Sequence, residues 1–233
     1  MTKMRHTLLT ATFLMALGGL QPAAAAIISV TLGNDTPGFA DGSVPSVFPQ
    51  LINAQSGQPA PFESGKGSDL FANLDESWIF NYAAIGDTIL SASLTLGIAD
   101  HDSQATGNQV ALYEIDNNDL TSALNTGFEA VGGGDGEYNV YSLDLDSGLF
   151  ADLTDGMAII ELTLLGPGLQ TALIGGAVSE TPFNGAHLIF STLTIETRDI
   201  TIPAVPIPAA LPLFMSALFA LGLFRRRISG SRV

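Results

Sequence analysis

TILSASLTLGI, residues 88–98, is the stretch that decides the fold. In an extended chain Leu90, Ala92, Leu94, Leu96 and Ile98 fall on one side, and Ser91, Ser93 and Thr95 on the other. That period of two predicts a strand with one buried and one wetted face. Residues 139–146, NVYSLDLD, repeat it, with Tyr141, Leu143 and Leu145 inward and Ser142, Asp144 and Asp146 outward. Working outward, 28–32, 78–82, 110–115, 157–165 and 187–197 read as further strands, separated by Gly, Asn and Asp. The run 157–165 is more continuously apolar and suits a central strand. Residues 36–69 hold five prolines and predict a long loop wrapping a sheet edge. Residues 121–124 predict one helical turn. Seven strands without a long helix predict an all-β body over residues 27–202, a single antiparallel β-sandwich or jelly roll.

The chain has 233 residues, 46% of them hydrophobic, and no cysteine. That composition excludes a disordered chain, a disulfide framework and thiolate chemistry. The 25 glycines follow no collagen period, and no internal repeat points to a solenoid or propeller. The net charge of −15 is unevenly spread. Residues 27–202 hold all 23 acidic residues and only two basic ones, Lys66 and Arg198, a balance of −21. Such a body repels phosphate backbones, so no nucleic-acid partner is expected. It attracts divalent cations and stays soluble by self-repulsion, which would also suit a surface adapted to salty water.

The remaining basic residues mark the two ends. Lys3 and Arg5 precede an apolar run, residues 8–20, then Pro22 and four alanines from Ala23 to Ala26. A positive start, a short apolar core and small residues at its end predict a signal peptide over residues 1–26. Cleavage by signal peptidase is expected after Ala25 or Ala26; an uncleaved anchor is the competing reading. Near the other end, Val205, Pro206, Ile207, Pro208 and Ala209 lead into an apolar run, 209–224, closed by Arg225, Arg226 and Arg227. Sixteen residues make a helix of about 24 Å, just short of a hydrocarbon core. The arginines would stay cytoplasmic, which predicts a stop-transfer span with the body outside.

This order of Val-Pro-x-Pro-Ala, apolar span and Arg cluster over residues 203–233 resembles the PEP-CTERM sorting signal in its VPLPA variant, with Ile207 where Leu is more usual. The resemblance implies a Gram-negative bacterium and an exosortase, a membrane cysteine transpeptidase that cleaves near the proline motif. It implies transient anchoring in the inner membrane, then delivery to the cell surface or extracellular matrix, in association with exopolysaccharide or biofilm. The strands from residue 93 to 197 also resemble the jelly-roll modules of secreted bacterial proteins, some of which act in adhesion or carbohydrate binding.

No catalytic residues are assigned. G-x-S-x-G and H-E-x-x-H are absent, and Gly65-Lys66 lacks the upstream glycine of a P-loop. The expected function is therefore non-enzymatic, with a carbohydrate-binding or adhesion module as the alternative and an extracellular hydrolase behind it. No cofactor is required, but calcium is a candidate. Asp100 and Asp102 end one strand, and Asp116, Asn118 and Asp119 end the next, as if in neighbouring hairpins. Calcium takes six to eight hard oxygens, which such loops supply. Asp and Asn are equally turn formers, and neither loop has the EF-hand spacing. Trp78 is the candidate sugar platform, against a plain core role on a strand it shares with Phe80 and Tyr82.

Overall fold

The computed structural model describes residues 25–172 and 175–198. The signal peptide up to residue 24, the Pro motif, the span 209–224 and the Arg cluster lie outside the described residues. Among those described, no helix is long and apolar enough to cross a membrane.

The body is all-β and antiparallel, with strands β1 (Ala25–Gly33), β2 (Gly65–Lys66), β3 (Asp75–Asn81), β4 (Thr88–Ala99), β5 (Val110–Ile115), β6 (Asn118–Asp119), β7 (Tyr138–Asp144), β8 (Met157–Leu164), β9 (Gly168–Thr171), β10 (Val178–Thr181) and β11 (Ala186–Arg198). One sheet runs β1-β11-β4-β7, with β2 pairing the first residues of β11. A second runs β3-β8-β5-β6, and β9 and β10 form a separate hairpin. Both large sheets feed one hydrophobic cluster: Leu94, Leu96, Leu193 and Ile195 from the first, Trp78, Phe80, Tyr113 and Ile160 from the second. As the alternation requires, the long strands turn one face to that cluster; along β8 the even-numbered residues from Ala158 to Leu164 are buried.

Four features depart from the sequence reading. Leu90 does not join the inner face. It is 40% exposed and Ile89 is buried instead, because the β4–β11 register slips where Ser91 faces Glu196 and Ile89 faces Thr197. The extra residue is a bulge, and a one-residue slip exchanges the faces. Second, the helical turn at 121–124 is a full helix, α2 (Thr121–Val131). Asn125 and Thr126 are weak helix formers, and Gly127 weaker still, so propensity conceals it. Docking supplies what propensity lacks. Leu124 and Phe128 are buried one above the other, and Asn125 exchanges hydrogen bonds with the backbone of Val110 at 3.2 and 3.1 Å.

Third, the proline-rich stretch is partly ordered. A π-helical turn, Val47–Leu51, runs into the short α1 (Ile52–Gln55), and Leu51 and Phe62 are buried. The stretch does reach the sheet: Gln55 donates to the Leu188 carbonyl at 3.1 Å and meets His187 Nδ1 at 2.8 Å. The fourth feature, the β9–β10 hairpin, carries no alternation long enough to be read beforehand.

Inner and outer residues of the second sheet should differ sharply in stability. Ile160 is fully buried on central β8, whereas Ile79 on β3 is 45% exposed. Ile160→Ala should cost about 2–5 kcal/mol in urea unfolding. Ile79→Ala should stay within about 0.5 kcal/mol of the parent. Equal losses would contradict the assignment of faces.

Candidate metal centre

β4 and β11 run antiparallel, so the end of β4 at Ala99 lies beside the start of β11 at His187. Asp100 and Asp102 follow β4 at this end and take left-handed backbone angles, φ 61° and 52°. Aspartate tolerates that conformation better than most residues, but it costs energy that neighbouring contacts must offset. His101 between them supplies one such contact. Its ring is fully buried, its Nε2 lies 2.6 Å from the Tyr141 hydroxyl, and it packs edge-on against Phe128. Burial holds its pKa down to about 3, so it stays neutral and lends no positive charge to the aspartates.

A third carboxylate joins them. Asp69 sits in the loop after β2, and one oxygen from each of Asp69, Asp100 and Asp102 lies within 4.8 Å of the other two. Each carboxylate accepts a backbone amide from a segment distant in sequence. The Gly185 N–H donates to Asp69 Oδ1 at 2.9 Å, the Gly136 N–H to Asp100 Oδ1 at 2.6 Å, and the Leu169 N–H to Asp102 Oδ2 at 2.7 Å. Asp135 in turn accepts the Thr171 N–H. Loops before β3, β7 and β11 and the β9 strand thus converge on one acidic knot. Two glycines permit this approach. A Cβ at Gly185 would lie 2.4 Å from the Ser68 nitrogen, and one at Gly168 would lie 3.0 Å from Asp102 Oδ2.

The electrostatics are unfavourable to three ionised groups. Burial first, then the charge of neighbouring aspartates, pushes Asp102 up to about 8. The same causes push Asp100 up to about 6 and raise Asp69. Asp102 is completely buried and its Oδ1 has no hydrogen-bond partner. The described residues contain two Lys or Arg, and neither is at the knot. Lys66 is committed to Glu63 at 2.7 Å, and Arg198 ends β11 at the opposite pole. Chemically the knot can hold protons or a hard cation.

The other predicted metal residues do not join this group. β4 and β5 belong to different sheets and are not hairpin neighbours. Asp116 accepts the Ile159 N–H at 2.8 Å, and its charged neighbours are Asp155 and Asp152. Asn118 donates to Asp152 Oδ2 at 3.1 Å and to the Ile115 carbonyl. Asp119 accepts the Thr121 N–H at 2.8 Å where α2 begins. These three therefore lie in a separate turn, where Asp116 Oδ2 is buried without a hydrogen-bond partner. Asp69 escapes sequence reading because nothing local links residue 69 to residue 100.

Trp78 takes the core role. It is 3% exposed and packs edge-on against Phe62 at 5.5 Å. The exposed ring at this pole is Phe71, 80% accessible in the tight loop after Asp69. Ala25 and Ala26, the expected cleavage residues, form the start of edge strand β1.

The raised carboxylates fix a direction for pH dependence. A carboxyl whose folded pKa lies above its unfolded value of about 4 binds more protons when folded. Its contribution is present at low pH and is lost as pH rises through the folded value. In EGTA, the melting temperature should therefore fall between pH 5 and pH 8, with Asp100 and Asp102 the largest contributors. Asp102→Asn should flatten the upper part of that fall. A melting temperature rising across this window would contradict the geometry.

No protein-family model matches the chain, and no curated protein matches it.

Proposed function

We propose that this chain is an exported, non-enzymatic surface or extracellular-matrix protein of a Gram-negative bacterium, delivered by an exosortase acting on residues 203–233. The body is read as a jelly-roll sandwich. Counting its eight sheet-forming strands in order and omitting β2 and the β9–β10 hairpin, the two sheets run 1-8-3-6 and 2-7-4-5, the order of two interleaved Greek keys.

The observation that best supports sorting is a strand pair. Ala25 at the start of β1 pairs with Arg198 at the end of β11. The described body therefore begins and ends at one pole of the first sheet, which suits a body joined to sorting signals through both ends. Cleavage after Ala25 or Ala26 leaves Ile27 to Gly33 paired to β11. The acidic knot lies at the other end of β11, whose 13 residues span about 43 Å. His101 is buried and neutral and His187 is bonded to Gln55, which supports the non-enzymatic reading.

One feature favours the second reading, a carbohydrate-binding or adhesion module. Phe71 is exposed in the loop that follows Asp69, where an aromatic ring could stack on a sugar.

Pro206→Ala with Pro208→Ala, or removal of Arg225 to Arg227, should leave unprocessed precursor in the inner-membrane fraction of the source organism. Normal delivery of both variants to the surface would remove the sorting assignment.

A further inference from the structure

We infer that Asp69, Asp100 and Asp102, together with the side-chain oxygen of Asn184, form a calcium site that clasps the loops at the pole opposite the chain ends. The acidic cluster alone would not justify this. The independent observation is a pair of buried oxygens. Asp102 and Asn184 are both completely buried, and Asp102 Oδ1 and Asn184 Oδ1 have no hydrogen-bond partner. Buried polar groups are nearly always satisfied, and a carboxylate left without a partner is costly. Asn184 belongs to the same knot. Its Nδ2 donates to the carbonyl of His101, between Asp100 and Asp102, at 2.8 Å, which leaves Oδ1 as its acceptor. Its neighbour Gly185 donates to Asp69.

Geometry and donor chemistry select the ion. Two oxygens on one calcium, each at about 2.3–2.6 Å, lie up to about 5.2 Å apart. The carboxylate trio, within 4.8 Å, meets that condition without loop movement. The donors are all oxygen, since the ring of His101 faces Tyr141 and the chain has no cysteine. That excludes the nitrogen and sulfur sets preferred by zinc. Asp69 and Asp100 are only partly buried, so the site has a solvent side from which water completes the shell. Each carboxylate also holds a distant amide, so one ion shared by the three joins loops that no disulfide or Lys bridge secures among the described residues.

This inference does not depend on sorting and is tested on the purified full-length chain in mild detergent, after dialysis against EGTA. Calorimetric titration with calcium chloride should show one ion per chain, and the melting temperature should rise by several degrees. Magnesium at equal concentration should bind at least tenfold more weakly. Asp69→Asn and Asn184→Ala should each weaken calcium binding at least tenfold, and Asp102→Asn should abolish the thermal shift. Asp116→Asn, outside the knot, should keep full affinity. Absence of saturable calcium binding by a parent chain with a β-rich circular dichroism spectrum would overturn the site. So would loss of binding in Asp116→Asn with retention in Asp69→Asn.

Discussion

The ladder between β4 and β11 sets the rest of the molecule. Its eleven paired positions, from His187 opposite Ala99 to Arg198 opposite Thr88, run the length of the first sheet. Antiparallel pairing satisfies the backbone groups of both strands and leaves alternate side chains free to enter the core. Leu94 and Leu96 meet Leu193 and Ile195 there, against the aromatic residues of the second sheet. Two bulges interrupt the ladder; one turns Ile89 into the main core, and at the other Ile189 is buried in a separate cluster with Leu51, Tyr138 and Phe190. The same ladder fixes the poles: whatever follows Ala99 must lie beside whatever precedes Ala186.

At that second pole the body brings together like charges that water would keep apart. The knot around Asp102 exists because amides of Gly136, Leu169 and Gly185 turn inward and need acceptors. Neutral oxygens would serve the amides with less electrostatic cost. Carboxylates serve them and also give the pole a charge that a proton or an external cation can offset, because neither basic residue among those described, Lys66 or Arg198, is at the knot. The arrangement gives the first sheet two different ends, one where β1 begins and β11 ends and one that is acidic.

The limits of sequence reading fall where contacts are non-local. The stretch from Tyr141 to Asp144 follows its predicted alternation, with Tyr141 and Leu143 turned to the core and Ser142 and Asp144 exposed, since burial on one face writes itself into every second residue. Leu90 breaks the match because a bulge is a property of two paired strands, not of one. The helix Thr121–Val131 is concealed because its stability comes from Asn125, Leu124 and Phe128 meeting other elements. The acidic residues divide in the same way. Asp119 can be read as a local turn former because its partner, Thr121, is two residues away. Asp69 meets Gly185, 116 residues on, and no local pattern announces it.

The sequence by itself determined an all-β body, its strong acidity and the central place of the strand 157–165. Periodicity and charge are carried by each residue independently of its partners. Only the tertiary structure decided that Asp100 and Asp102 share a site with Asp69 and not with Asp116, and that Trp78 belongs to the core. It alone placed Ala25 beside Arg198 and the acidic knot at the far end of the sheet. Those facts depend on which strands pair and in what register. Pairing is settled by the joint burial of two sheet faces, a free energy that belongs to the whole chain and to no segment of it.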